Sequence, residues 1–121
     1  MYINENWFMK VNLNMLQDSA LDNLTNDGIL LYSYMLNRYG VTTFADENGE
    51  KYIIVTEQSA LKFCRIKRVK FYALKKQLRE LGLIRYNEQT PKKRGVSTPI
   101  YVVDYTDWKN EKRKYEMPDL D

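Results

Sequence analysis

Two groups of cationic side chains mark this chain of 121 residues: Arg65, Lys67, Arg68 and Lys70 in close succession, and Lys92-Lys93-Arg94 followed by Gly95. Guanidinium and ammonium groups at this density break no bonds by themselves. They bind phosphate and carboxylate, and a guanidinium can bond O6 and N7 of guanine together. Charge is segregated to match. Residues 1–61 hold eight acidic and three basic side chains, whereas residues 62–114 hold sixteen basic and five acidic, so the formal net charge of +3 conceals a strongly cationic second half. A polyanion meets that half favourably.

Other chemistries are excluded by composition. Histidine is absent and Cys64 is the single cysteine, which removes imidazole zinc ligands, Ser-His and Cys-His nucleophile pairs and any internal disulfide. No Gly-x-x-x-x-Gly-Lys-Ser/Thr loop is present to cradle a nucleotide. No cofactor and no metal is expected, and no enzyme, because neither paired catalytic carboxylates nor an activated nucleophile is visible. With no basic-then-apolar leader and no run of about 18 apolar residues, a reducing cytoplasm and no membrane partner are expected.

The elements that must position the cations follow from spacing. Ile29, Leu30, Tyr32, Met35, Leu36 and Tyr39 recur at helical intervals after the capping run Thr25-Asn26-Asp27, with Gly40 expected as the C-cap. Val41–Phe44 and Lys51–Val55 are β-prone and flank Asp46-Glu47-Asn48-Gly49, which predicts a hairpin. Thr56 is expected to cap a short helix to about Phe63 that buries Ala60, Leu61 and Phe63, with Cys64–Ile66 as the turn. A second helix runs from about Lys67 to Leu81, with Phe71, Leu74, Leu78 and Leu81 on one face and Gly82 ending it. Leu83–Asn87 and Ile100–Tyr105 alternate as strands around the Lys92–Arg94 loop. The result is an α+β fold, a winged helix-turn-helix with an N-terminal arm, an extra β-hairpin and a basic wing. Its body covers 1–105. Residues 106–121 form a tail or linker, in which Thr106–Tyr115 has the pattern of a short helix capped by Thr106.

The first turn of a helix prefers carboxylates by roughly 0.3–1 kcal/mol each, yet here it carries Lys67, Arg68 and Lys70. Further on, Lys75 and Arg79 stand four apart with like charge. Such violations are expected where function uses the residues. The apolar face rotates Arg68, Lys70 and Ala73 toward a groove of duplex DNA, with Lys67 near a phosphate, Arg65 on the turn, and Lys92, Lys93 and Arg94 reaching the flanking minor groove or backbone.

Several residues invite a sharper reading than they support. Cys64 beside Arg65 has the setting of an activated thiol, but its place between two apolar helix ends favours a small core side chain. The cluster Asp46, Glu47, Asn48 and Glu50 lacks the twelve-residue calcium-loop spacing and reads as a turn. Of ten tyrosines, Tyr32, Tyr52 and Tyr101 fall on apolar faces, while Tyr72 is balanced between core and contact. The stripe Trp7-Phe8-Met9, in a segment Tyr2–Leu16 expected to pack on the body, is read as a dimer surface.

From Trp7 onward the chain resembles the N-terminal domain of the plasmid replication initiator A family of Gram-positive plasmids. Trp7-Phe8-Met9-Lys10-Val11 carries the resemblance, as do Leu24-Thr25-Asn26-Asp27 leading into Leu30-Leu31-Tyr32 and Leu36-Asn37-Arg38, and Asp46-Glu47-Asn48-Gly49 before Tyr52-Ile53-Ile54. It continues through Leu81-Gly82-Leu83-Ile84 and Ile100-Tyr101-Val102. It implies a sequence-specific winged-helix domain that binds repeated sites in a plasmid origin as a homodimer and engages host replication proteins through another domain. Two readings stand beside it: a winged-helix transcriptional repressor, and a protein-interaction module docking an acidic partner.

Overall fold

The computed structural model describes residues 8–87 and 98–116, and within them the order is two short 3-10 turns, three helices, two paired strands and a fourth helix. Helix α1 spans Asn26–Val41, and the Thr25 hydroxyl accepts from the Gly28 amide at its start. Its apolar positions Ile29, Leu31, Tyr32 and Met35 are buried. Gly40 is not the C-cap expected of it. The helix continues through it to Val41 and stops at Thr42 in extended backbone, where the Thr42 hydroxyl donates to the Tyr52 carbonyl. A tertiary hydrogen bond, rather than a left-handed glycine, ends this helix.

The hairpin that follows is shorter than its β-prone flanks suggested, with a single bridge between Ala45 and Lys51. Asp46 builds its turn. One carboxylate oxygen accepts from the amides of Asn48 and Glu50, both at 2.9 Å, and the other accepts from the Tyr101 hydroxyl at 2.8 Å. Gly49 supplies the positive φ of 81° that the turn requires. The Tyr101 hydrogen bond holds the Asp46 carboxyl below its ordinary range and, reciprocally, pushes the Tyr101 phenol up.

Helix α2 (Glu57–Cys64) starts at Thr56, whose hydroxyl accepts from the Ser59 amide at 3.1 Å. Ala60 is buried on it, Phe63 is half-buried and Leu61 is exposed, contrary to the expectation that all three face inward. An eight-residue helix wedged beside α1 has one buried stripe, and Leu61 lies off it. Cys64 closes the helix rather than opening the turn; its thiol is buried, and burial pushes its pKa up to about 11. Arg65 follows in the left-handed region (φ 56°, ψ 34°), with its amide bonded back to the carbonyls of Ala60 and Leu61. Ile66, fully buried, anchors the turn before α3 (Arg68–Leu81).

Helix α3 buries Phe71, Leu74 and Leu78 as its spacing predicts, leaves Leu81 half-buried, and ends at Gly82 (φ 85°). Strand β1 (Ile84–Arg85) pairs antiparallel with β2 (Tyr101–Val102), in the register Ile84 opposite Val102 and Arg85 opposite Tyr101. Both strands are shorter than their alternating flanks. Ile53 bridges to Ile100, with amide and carbonyl exchanged at 2.8–2.9 Å, so the backbone leading into α2 lies against the β2 side of the sheet. Helix–turn–helix followed by this sheet is the winged-helix arrangement.

Helix α4 covers Tyr105–Glu116. Its first turn is served by Asp104 rather than Thr106: the Asp104 carboxylate accepts from the Thr106 amide at 2.8 Å. Tyr105 and Trp108 belong to the core. The Trp108 indole N–H donates to the Leu81 carbonyl at 2.7 Å, and Tyr32 donates to the Val103 carbonyl at the same distance. Asp18, between the two 3-10 turns, accepts from the Ala20 amide, the Tyr105 hydroxyl and Lys109. Burial pushes this carboxyl up, but the hydrogen bonds outweigh it and hold the group below its ordinary range.

Candidate nucleic-acid interface

The first group of cations sits on the turn before α3 and on its first helical turn. Arg65, Lys67, Arg68, Lys70 and Ala73 are all exposed, so the structure brings these five positions to the opening of one helix. Lys67 is the N-cap residue, in extended backbone and with no side-chain capping bond, and the first turn contains no acid. The helix therefore presents its positive pole uncapped beside cationic side chains, an arrangement that favours an incoming anion. Lys92, Lys93 and Arg94 lie outside the described residues.

Two carboxylates flank the start of α3, one from each preceding helix. Lys70 donates to Asp27, in the first turn of α1, at 2.5 Å. On the opposite flank Glu57, in the first turn of α2, accepts from the Tyr72 hydroxyl at 2.9 Å and lies 3.6 Å from the Arg68 guanidinium. The Glu57 hydrogen bond raises the Tyr72 phenol above its ordinary range. The Arg68 side chain is 77% exposed and that of Lys70 is 56% exposed. Pairs this open to water are worth only about 0–1 kcal/mol, so they orient the cations without removing them from a stronger anion.

Lys75 and Arg79, whose like charge looked unfavourable, share an aromatic ring. The Lys75 ammonium lies 4.5 Å and the Arg79 guanidinium 4.7 Å from the centroid of Tyr86. Sequence spacing could not reveal this, because Tyr86 comes from beyond β1. An exposed apolar residue of α3 was missed as well. Val69, between Arg68 and Lys70, is 83% exposed. Helical geometry puts Tyr72, Ala73 and Lys76 on the same outward face, opposite Phe71, Leu74 and Leu78.

The N-terminal segment departs from its expected packing. Met15 is buried and Met9 half-buried, but Phe8, Leu13 and Leu16 are 79%, 69% and 53% exposed. Beside Met15 a polar tie holds the segment: the Asn37 side chain accepts from the Lys10 amide at 3.1 Å and donates to the Lys10 carbonyl at 2.9 Å, as a strand neighbour would. Trp7 lies outside the described residues. No helix among the described residues is long and apolar enough to cross a membrane.

Solved structures share this fold. The chain is similar to one titled "Structure of Rep-DNA complex" (TM-score 0.63, 19% identity, covering 98% of this chain and 99% of that one). It is similar also to "N-Terminal domain of DNA binding protein" (0.63, 18%, 98% of each) and to "Structure of MDR initiator" (0.64, 16%, 98% and 100%). No curated protein matches the chain. The family model described as the N-terminus of replication initiator protein A matches residues 7–115, which include every helix and strand described above but for the last residue of α4. The chain belongs to the replication initiator protein A N-terminal family.

Proposed function

We propose that this chain binds duplex DNA sequence-specifically at a plasmid replication origin and so initiates replication, with α3 entering the major groove. The observation that carries the reading is the uncapped, acid-free start of α3, where Arg65, Lys67, Arg68 and Lys70 are exposed around one helix end. The N-terminal residues of a second helix in a helix-turn-helix are the ones that meet base edges. Arg68 is assigned the base contact, Lys67 and Arg65 phosphates, and Lys92, Lys93 and Arg94 the flanking backbone. Family membership and the similar structures, a Rep–DNA complex and an initiator among them, support the same reading.

A homodimer formed through the N-terminal segment goes with it, because Phe8, Leu13 and Leu16 present apolar surface to solvent. Host replication proteins would be engaged through residues outside this domain, in the cytoplasm where a plasmid origin lies. Titrating a duplex selected from a random pool against salt tests the proposal. Neutralising about six phosphates predicts a slope of log affinity on log salt near −5, and the selected duplex should bind at least ~10³-fold more tightly than random duplex. Equal affinity for all duplexes would overturn it, and binding only to acidic proteins would establish the interaction-module reading instead.

A further inference from the structure

Val69 has no structural reason to be where it is. A β-branched residue lowers helix propensity, and at 83% exposure this side chain recovers almost nothing by burial. It stands in the first turn of α3, between Arg68 and Lys70, each of which has a carboxylate on its own flank of the helix. Over its first two turns the outward face thus presents Val69 and Ala73, with a cation on each flank and Lys76 following on the turn beyond. A matching partner must be apolar at one point and anionic on either side of it. In the major groove of a duplex that apolar point is the C5 methyl of thymine, set between two phosphate backbones.

We infer that Val69, with the small Ala73 one turn behind it leaving room, reads a thymine by its methyl group and is a specificity-determining residue of this domain. The inference rests on the duplex-binding reading above and adds the base and the atom recognised. Arg68 keeps its own base contact and Lys70 faces the backbone, while Val69 discriminates by apolar contact, which no charge count would reveal.

The test uses the whole chain and the duplex it selects from a random pool. Each thymine in turn is replaced by deoxyuridine, which lacks only the 5-methyl. One position, or two adjacent ones, should weaken wild-type binding about fourfold, the effect of withdrawing one methyl from an apolar contact. Val69→Ala should bind the thymine and uracil forms of that position equally and melt at or slightly above the wild-type temperature, since the side chain is solvent-facing and alanine is the better helix former. Replacement that weakens binding nowhere overturns the inference while leaving duplex recognition standing. So does a penalty that persists undiminished in Val69→Ala. A pool that yields no preferred duplex overturns the parent reading and this inference with it.

Discussion

Substituting glycine for Arg65 separates two roles that this residue combines, a left-handed backbone in the turn and a cation beside α3. At φ 56° and ψ 34° an L-residue pays roughly 1–2 kcal/mol. Glycine escapes that cost but loses roughly 0.5–1 kcal/mol more chain entropy on folding. The net expectation for Arg65→Gly is a stabilisation of roughly 0–1.5 kcal/mol. With a melting entropy of roughly 2 cal/mol/K per residue, that raises Tm by up to roughly 6 °C. Arg65→Ala keeps the strained backbone and should melt at or slightly below the wild-type temperature. Duplex binding should respond differently. Both variants lose the same charge, so each should flatten the salt slope by about one unit. Thermal unfolding followed by circular dichroism, with salt-dependent titration of a selected duplex, reads both effects on the same samples. If Arg65→Gly melts no higher than Arg65→Ala, the turn does not carry the assigned strain. If the glycine variant alone loses affinity, Arg65 acts through turn rigidity and not through its charge.

Gly28 is packed where a side chain does not fit: a Cβ there would lie 2.3 Å from Leu24 Cδ1, 2.8 Å from Leu24 Cγ and 3.3 Å from Leu74 Cδ2. Overpacking of about 1–3 kcal/mol against a helix-propensity gain of about 1 kcal/mol predicts that Gly28→Ala lowers the urea midpoint by the equivalent of roughly 0–2 kcal/mol, and a raised midpoint would contradict the close packing of Leu24 on Gly28. Asp18 has a depressed pKa in the folded state, so its stabilisation is present above the unfolded carboxyl value and is lost as pH falls through the folded one. Denaturant titrations should show Asp18→Asn less stable at pH 7 and with a shallower acid decline than wild type; parallel pH curves would remove Asp18 from the account. The buried Cys64 thiol, with its pKa pushed up to about 11, should resist iodoacetamide at pH 8 in the native protein and react once unfolded. Mass spectrometry showing rapid native alkylation would mean that the α2–α1 packing opens readily.

Local signals were read well. The Phe71, Leu74 and Leu78 stripe fixed the rotation of α3, Gly82 ended it, Thr25 and Thr56 capped their helices, and Asp46–Gly49 made the turn, because each of these depends on residues within a few positions. What sequence could not supply is contact across the fold. Lys70 and Asp27 are 43 positions apart, and Tyr105 and Asp18 are 87 apart. The failure of Gly40 as a cap follows from the Thr42–Tyr52 bond, and Leu61 is exposed because α2 is short and meets α1 along one stripe only. At the interface the cations were legible as charge. Their carboxylate flanks, the ring shared by Lys75 and Arg79, and the outward valine required three dimensions.

The indole of Trp108 occupies the last turn of α3, donating to the Leu81 carbonyl with its ring 3.6 Å from where a Gly82 Cβ would lie. No connecting loop intervenes between this joint and the helix that bears Val69. The start of α4 and the end of α3 are therefore pinned to each other directly, at a point where a glycine leaves the indole its space.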